Sequence, residues 1–524
     1  MPIRPTFYGF EMARTALSAS QKNIDVTGQN IANINTPGYS RQRVNLSSVG
    51  PGEINWRYAL HPSELVGLGV NVDSIRRVRD QFLDARFRNE MSANARIGVK
   101  NDILTYVENN VDEFVHPEGT MQNILSQFHN AFQDLHMYAD EVEFMKMTSS
   151  AARMLVTTTR SISTNISQIW EHSYEQLSFV KDEVNRIAQA LEDVNNEIRT
   201  HFLLNAVPNE LLDKRDLLLD QLSGFGEVTV RPAPIDYGNG PIDTFGLHIY
   251  FGKLEGDWSE DDHGDWEEYL LVSGNTEWHN TLEISDKPDN YLDPDNPVRL
   301  SWVDGSGGDF HTVSGEIFGY YEMLNGIGNI EEDGDTVDLA SKGIPYFMNM
   351  MNTFVSTLAD VFNELNDDDD LFIYDMDNPA ATITINPAWL DDPSYILRTL
   401  DNSDTPGAAR NDNILRMIDA LKKEREFIEP NSGNTYTGSF FQYINTINTE
   451  LGLEIDYLNK SKDVSDINLL SIDMYRASIM DVDSDEEAMN LVKYQKSYNA
   501  AARFMTTLDE MLDVIINRLG IVGR

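Results

Sequence analysis

The sequence contains no cysteine among its 524 residues. This absence excludes disulfides, thiolate metal sites and cysteine nucleophiles. It suits a chain that passes unfolded from a reducing to an oxidising space, where free thiols could cross-link. The chain also lacks an apolar stretch near the roughly 18 residues that a membrane span needs. Its first residues do not form a cleavable secretory signal. We therefore expect a protein that stays in the cytoplasm or one that is exported without a cleaved signal.

Motifs for catalysis and metal binding are also missing. We find no HExxH pair, no P-loop and no GxSxG in the sequence. The segment DVDSDEE resembles the start of an EF-hand, but Glu486 and Val492 stand where that loop needs Gly and Glu. The acidic clusters at 261–265 and 366–370 are most simply solvated surface. The sequence therefore predicts no enzyme, no metal site and no cofactor.

The chain is short of positive charge, with a formal net charge of -45. This excess of acid argues against a surface that neutralises the phosphates of nucleic acid. Residues 1–43 carry five basic and two acidic residues, whereas residues 251–300 carry fourteen acidic and three basic residues. We interpret the acidic stretch as a solvated outer surface.

Both ends of the chain carry heptad repeats, in which apolar or small residues recur at alternating steps of three and four. Several members of the first repeat are small or polar, so this helix needs a partner to be stable. We predict that the two terminal helices pair as a coiled coil. The first repeat consists of Phe10, Ala13, Leu17, Ser20, Ile24, Thr27, Ile31 and Ile34, and the second of Leu491, Tyr494, Tyr498, Ala501, Met505, Leu508, Leu512, Ile515, Leu519 and Val522.

The middle of the chain changes character twice. Short strands are predicted within 39–80, and a mainly helical pattern follows from 80 to about 223. Residues 225–312 are rich in Gly, Pro, Asp and aromatic residues with short alternating runs, which is typical of strands and turns. Helical periodicity returns at 346–365. The predicted fold is mainly α, with a helical-bundle domain split around an inserted β-rich domain.

We divide the chain into three units on this basis. The expected units are a terminal coiled-coil assembly domain of 1–45 plus 481–524, a helical middle domain of 46–224 plus 313–480, and an acidic β-rich outer domain of 225–312.

The sequence NTPGYSRQ follows the N-terminal helix and predicts a helix stop with a turn. Asn33 and Asn35 can bond the free carbonyls of a helix end. Pro37 forces the preceding residue out of the α region, and Pro37 and Gly38 suit the two central positions of a type II turn.

The two ends resemble the axial proteins of the bacterial flagellum, the family of rod, hook and hook-associated proteins. The resemblance rests on FYGFEMARTALSASQKNIDVTGQNIANINTPGYSRQ at the start and DEEAMNLVKYQKSYNAAARFMTTLDEMLDVIIN at the end. Ser40, Arg41 and Gln42 give the form NTPGYSRQ, which is similar to the hook-associated protein 1 branch of the family. The internal segments GLGVNVDSIRRVRDQFLDARFRNE, NELLDKRDLLLDQLSGFGEVTV, SGEIFGYYEML and ITINPAWLDDPSYI resemble the same branch in the expected order. Residues 231–310 match no segment that we can name, and the tail INRLGIVGR runs past the expected end.

The resemblance implies a structural subunit of the flagellum at the junction between hook and filament. It implies export without a cleaved signal peptide, an extracellular location, and a ring of identical subunits as the assembled form. The implied partners are other copies of the chain, the hook protein, hook-associated protein 3, and an export chaperone at the C-terminal helix, with no nucleic acid and no membrane insertion. The implied assembly interface consists of Phe10, Leu17, Ile24, Ile31, Ile34, Leu491, Tyr494, Tyr498, Met505, Leu508, Leu512, Ile515 and Leu519.

The turn then has two interpretations. It redirects the chain from an inner coiled-coil tube to the next layer, with Tyr39 and Arg41 contacting a neighbour, or it only ends a helix within one subunit. The residues expected in the turn and in the contact between subunits are Asn33, Asn35, Pro37, Gly38, Tyr39 and Arg41.

Three other functions stay open at this point. The first is a hook or distal rod protein, and the second is an acidic binding module or enzyme carried by the β-rich domain. The third is a cytoplasmic coiled-coil protein, which would need ordered termini in the free monomer.

Overall fold

The computed structural model describes residues 6–49, 69–112, 121–204, 207–236, 241–242, 245–253, 269–303, 310–328, 339–367, 369–399, 411–429 and 433–518. The predicted fold class is confirmed, because long helices dominate and small sheets are inserted between them. The helices are α1 (Thr6–Ala32), α2 (Gln81–Asp112), α3 (Met121–Met137), α4 (Val142–Leu203), α5 (Asn209–Phe225), α6 (Gly315–Asn325), α7 (Ile344–Leu365), α8 (Pro379–Thr382), α9 (Pro387–Asp391), α10 (Asp412–Lys422), α11 (Phe440–Met480) and α12 (Ser484–Asp513). A 3-10 turn at Pro393–Tyr395 and a π-helical turn at Val514–Arg518 complete them.

The strands form small antiparallel sheets. The strands are β1 (Gln42–Ser48), β2 (Val70–Arg77), β3 (Val228–Pro232), β4 (Ile235–Asp236), β5 (Pro241–Ile242), β6 (Leu247–Phe251), β7 (Leu270–Val272), β8 (Leu282–Ile284), β9 (Leu300–Trp302), β10 (Phe372–Ile373), β11 (Thr384–Ile385), β12 (Arg425–Ile428) and β13 (Thr435–Gly438). β3, β6 and β7 form one sheet of three strands, and the remaining strands pair two by two. In the β1–β2 pair, Gln42 lies opposite Arg77 and Val44 opposite Ile75.

The terminal helices pack against each other, as α1 contacts α12 along its length. This confirms the predicted pairing of the two ends. A short break separates α11 from α12, and the Asp483 carboxylate accepts hydrogen bonds from the backbone N–H groups of Asp485 and Glu486. The segment that resembles the start of an EF-hand is therefore the N-cap of α12.

Long helices build the body of the molecule. The second half of α4 buries a complete heptad row against its neighbours, and α5 returns antiparallel, with Arg215 hydrogen-bonded to Asn195. α2 runs antiparallel to α11, because Asp84 meets Arg476 at one end and Lys100 lies 4.0 Å from Glu454 at the other. The buried row of α4 comprises Leu177, Val180, Val184, Ile187, Leu191, Val194 and Ile198.

One large hydrophobic cluster joins the helices of this body to the inserted strands. Phe128, Phe132 and Phe362 pack ring against ring at its centre, with centroids 4.9 to 5.5 Å apart. Ile249 and Phe251 of β6 belong to the same cluster and are inaccessible to solvent. The strands therefore rest on the helical body and share its core.

Candidate assembly site at the base of the terminal helices

The turn after α1 has the geometry that its sequence predicts. The Asn33 side-chain amide donates to the Gln29 carbonyl at 2.9 Å, which bonds a carbonyl at the end of the helix. The Tyr39 backbone N–H donates to the Thr36 carbonyl at 3.2 Å, and Gly38 has a φ of 75°. A hydrogen bond across Pro37–Gly38 and a positive φ at Gly38 define a type II turn.

The turn also packs against the body. A Cβ placed on Gly38 would lie 3.2 Å from the Cβ of Leu217 in α5. Glycine is therefore needed here twice, for the positive φ and for the close approach to α5. Asn35 and Pro37 are exposed at the tip, and Ile34 is 40% exposed.

A buried asparagine ties the chain after the turn to the helix that precedes it. The Asn30 side-chain oxygen accepts from the Tyr39 hydroxyl at 2.9 Å and from the Gln42 backbone N–H at 3.0 Å. The Asn30 amide donates to the Gln42 carbonyl at 3.0 Å and to Glu487 at 3.3 Å. Burial and the nearby Asp213 carboxylate raise the pKa of Tyr39, so its hydroxyl remains a donor. Asn30 therefore fixes the direction in which the chain leaves the turn.

Arg41 connects the same segment to α12. Its guanidinium donates to both oxygens of Glu486, at 2.7 and 3.0 Å, and to Glu487 at 2.8 Å. Its backbone N–H donates to the Met480 carbonyl at 2.8 Å. The hydrogen bond to Glu486 raises the pKa of Arg41, and the same contact lowers the pKa of Glu486. Because Glu487 is almost fully buried, this bridge is protected from solvent on one side.

A buried charge network lies directly below this segment, and it is defined by four arginines and four aspartates. Its formal charges balance, and each side chain is no more than 15% exposed. It joins β2, α2, α5 and α11, and the Ser40 backbone N–H donates to Asp213 at 3.1 Å. The members are Arg77, Arg79, Arg88, Arg476, Asp84, Asp213, Asp216 and Asp220.

Asp216 occupies the centre of the buried charge network. It receives hydrogen bonds from Arg77 at 2.7 Å and Arg79 at 3.0 Å, and Arg88 lies 3.6 Å away. Burial alone would raise the pKa of Asp216, but the neighbouring guanidinium groups, Arg79 foremost, lower it. The carboxylate therefore stays ionised and holds elements from distant parts of the sequence together.

The terminal helices contact each other mainly through partly exposed side chains, in contrast to the buried charge network. Glu487 is the one fully buried side chain of α12. The large apolar residues expected at the interface are half-buried, and Gly9 of α1 approaches the Leu508 side chain closely. Tyr498 and Ile515 are 37% and 48% exposed, and Leu519 lies outside the described residues. The half-buried members are Phe10, Leu17, Ile24, Ile31, Leu491, Tyr494, Met505, Leu508 and Leu512.

Small and polar residues fill most of the buried positions of α1, and Val26 is the larger aliphatic residue among them. Ala13 and Ala19 are less than 5% exposed, and Ser20, Asn23 and Thr27 are at most 9% exposed. The helix therefore turns its small face inward and leaves its larger apolar residues partly uncovered. Such a face allows close helix approach but removes little apolar surface from water.

The buried charge network could not be assigned from the sequence, although a signal is present. Asp213, Asp216 and Asp220 follow steps of three and four, which place them on one face of a helix. Arg77 and Arg79 alternate in an extended segment and therefore share a face as well. Each pattern alone is also typical of a solvated surface, so their pairing emerges only in the fold.

The described part of the chain offers neither a cluster of metal ligands nor a membrane-spanning helix. None of its His, Asp and Glu side chains form a group of three or more that could hold a metal ion. No helix in the described ranges is both long and apolar enough to cross a membrane. The acidic cluster at 261–265 lies outside these ranges.

Comparisons with known proteins agree with this arrangement. Residues 109–371, just over half of the chain, match the family model described as "Flagellar hook-associated protein FlgK helical domain". Residues 10–39 match the model "Flagella basal body rod protein", and residues 478–519 match "Flagellar basal body rod FlgEFG protein C-terminal". The latter two matches contain most of α1 with its turn and all of α12.

Individual proteins are similar to this chain as well. Flagellar hook-associated protein 1 of Bacillus subtilis is 26% identical over 99% of both chains. Its namesake from Salmonella typhimurium is 23% identical over 40% of this chain and 37% of that protein. The solved structure of the flagellar hook junction protein FlgK from Burkholderia pseudomallei is 14% identical, with a TM-score of 0.39 over 54% of this chain and 43% of that chain. With a family model covering half of its length, the chain belongs to the family of flagellar hook-associated protein FlgK.

Proposed function

We propose that this chain is a structural subunit of the bacterial flagellum that forms the junction between hook and filament and assembles through α1 and α12. One observation carries the proposal. The terminal helices bury mostly small and polar residues and leave most of their large apolar residues half-covered, while the body buries a large cluster of apolar side chains. Neighbouring subunits would cover this remaining apolar surface in a ring.

The buried charge network has a defined task in this proposal. It holds the base of the terminal helices to α2, α5 and α11. The angle between the terminal helices and the body would therefore stay constant when the assembled flagellum transmits force. Buried ion pairs contribute geometry more than net stability, because desolvation offsets most of their attraction. Each guanidinium donates its hydrogen bonds to carboxylates in a few fixed directions, which suits a rigid joint.

The turn is proposed to present its exposed tip to a neighbouring subunit. Asn35 and Pro37 are free to contact a neighbour, whereas Tyr39 and Arg41 already bond Asn30 and Glu486 within the chain. Tyr39 and Arg41 would then act by holding the tip in place. This combines the two interpretations of the turn that the sequence allows.

We propose the partners that family membership implies. They are other copies of the chain, the hook protein, hook-associated protein 3, and an export chaperone that covers the apolar face of α12 before assembly. We propose export without a cleaved signal peptide, an extracellular location and no catalytic role. We also propose that the units 1–45 plus 481–524, 46–224 plus 313–480 and 225–312 correspond to inner, middle and outer layers.

A deletion strain tests the proposed function directly. Hooks without filaments, together with flagellin shed into the medium, are the expected result, and the wild-type chain should restore filaments. Missing hooks would place the protein in the hook or rod instead. Normal filaments and motility would contradict the proposal.

A variant of the turn tests its part in assembly. Pro37→Ala combined with Gly38→Ala should impair junction formation more than export, because a left-handed φ costs an L-residue about 1–2 kcal/mol. The matched control is Gly28→Ala in α1, where an added Cβ meets no atom within 4 Å. Normal junctions in the turn variant would refute a role for the turn.

A further inference from the structure

Helix α11 carries two rows of residues at heptad spacing, and only one of them packs against the body. The inner row packs against the body and includes Ile455, Leu458 and Ile472, which are at most 7% exposed. The second row faces outward, and each of its large apolar side chains is 60% to 67% exposed. This outer face of α11 consists of Leu453, Tyr457, Val464, Ile467 and Met474, with Lys460 and Ser471 completing the alternation of four and three.

Acidic residues flank the outer face of α11. Asp456 and Asp463 are exposed, lie seven residues apart and therefore occupy the same edge of the helix. Asp456 also forms an exposed ion pair with Lys460 of the same helix, which a guanidinium from a partner would have to displace or share. Charges at the edges of a heptad row select the partner helix. A second α11 would place acidic edges next to each other, which disfavours pairing of this face with itself.

The first half of α4 carries the complementary pattern. Lys146, Arg153 and Arg160 are exposed at seven-residue spacing, with Met147 and Met154 beside them at 51% and 44% exposure. Within the described residues none of the three cations takes part in an ion pair. We name the stretch from Lys146 to Arg160 the basic face of α4. The basic face of α4 therefore combines three aligned positive charges with two exposed methionines, although the whole chain has a net charge of -45.

The two faces do not meet within one subunit, because the apolar side chains of both remain 44% to 67% exposed. The basic face is about 21 Å long and the outer face about 32 Å long at 1.5 Å per residue, so the outer face can cover the whole basic face. A contact between two different faces is head-to-tail, and it closes into a ring when the rotation between copies allows it.

We propose that the outer face of α11 binds the basic face of α4 in a second copy of this chain. Met147 and Met154 would cover part of the apolar row, and Arg153 and Arg160 would pair with Asp456 and Asp463. This contact lies in the helical body and is additional to the contacts of the terminal helices. It rests on the proposed function, because a ring of copies is required.

Cysteine cross-linking suits a chain that has no native cysteine. Met154→Cys and Val464→Cys lie near the centres of the two faces, so they approach each other whether the helices run parallel or antiparallel. The double variant is expressed in the deletion strain, and hooks with filaments are isolated and treated with a short thiol-specific cross-linker. The controls are each single variant and the pair of Phe179→Cys with Val464→Cys, because Phe179 is an exposed residue of the distant half of α4.

The expected result is a ladder of dimers, trimers and larger products from the double variant. Its yield should exceed that of every control about tenfold, because the interface raises the local thiol concentration. Dimers from Val464→Cys alone would overturn the proposal by showing that α11 pairs with itself. Filaments that contain the double variant but give no ladder would overturn it as well. Failure of the wild-type chain to restore filaments would instead refute the proposed function.

Charge reversal gives a second measurement that does not depend on cross-linking. Arg153→Asp with Arg160→Asp should strongly reduce the number of filaments per cell. Adding Asp456→Arg with Asp463→Arg should restore filaments, because each reversed pair attracts again. Four substitutions that are no better than the first two would contradict the proposal, provided that circular dichroism shows folded protein.

Discussion

The terminal helices and α4 use the same heptad spacing but reach different degrees of burial. In α4 the row from Leu177 to Ile198 is at most 8% exposed at every position. In α12 the corresponding residues from Leu491 to Leu512 are half-buried, and Tyr498 is 37% exposed. Periodicity therefore predicts which face of a helix packs against other elements. It does not predict whether one chain contains enough apolar surface to bury that face.

The difference also lies in what the partner offers. α4 meets large aliphatic side chains from several elements, whereas α12 meets α1, whose inward face carries Ala13, Ser20 and Thr27. Burial of apolar area contributes about 25 cal/mol per Å², so the terminal pair gains much less from its contact. We therefore expect the body to be stable in the free subunit, and the terminal pair to need the apolar contacts of neighbouring subunits.

The largest expected effect is on the body. Phe362→Ala should destabilise the free protein by about 3–5 kcal/mol, because it empties a fully buried ring site beside Phe128 and Phe132. Urea unfolding followed by tryptophan fluorescence measures this change. An effect below about 1 kcal/mol would show that the core around Phe362 is packed less tightly than its full burial indicates.

The buried charge network should respond almost as strongly. Asp216→Asn leaves Arg77 and Arg79 without their shared carboxylate and should cost about 3–5 kcal/mol. The matched control is Glu183→Gln in α4, which removes an exposed pair with Arg186 and should cost about 0.5 kcal/mol or less. Equal effects of the two variants would mean that the network does not organise the base of the terminal helices.

Acid should weaken the body through the same network. The pKa of Asp216 is lowered in the folded protein, because nearby arginines outweigh the effect of burial. A lowered carboxyl pKa gives stability that is present above the unfolded-state pKa of about 4 and is lost as pH falls through the folded-state pKa. Urea unfolding should therefore show falling stability below about pH 4, with a shallower decline in Asp216→Asn. An unchanged slope in this variant would rule out Asp216 as a source of the acid sensitivity.

The smallest effect on the free protein is expected in the terminal pair. Leu508→Ala should change the free energy of unfolding by less than about 1 kcal/mol, because Leu508 is half-buried. It should nevertheless reduce incorporation into flagella severely, whereas the exposed Lys496→Ala in the same helix should not. A large loss of monomer stability with normal incorporation would reverse the comparison between the two regions.

The sequence was a good guide to periodic structure and a poor guide to long-range polar contacts. The rows of α4 and the turn at Pro37–Gly38 follow from local patterns, because side-chain spacing and glycine conformation are local properties. Asn30 lies between the repeat positions of α1 and Asp216 is one of many acidic residues, so neither stands out in the sequence. Their partners are distant in the sequence, since Glu487 and Arg79 reach them only after the chain has folded.

Hydrogen exchange of the free monomer and of the assembled junction tests the central claim most directly. We predict fast amide exchange in α1 and α12 of the monomer, slow exchange in α4, and strong protection of all three helices after assembly. Strong protection of α1 and α12 in the free monomer would contradict the account. It would mean that the terminal pair is complete within one chain and needs no neighbours.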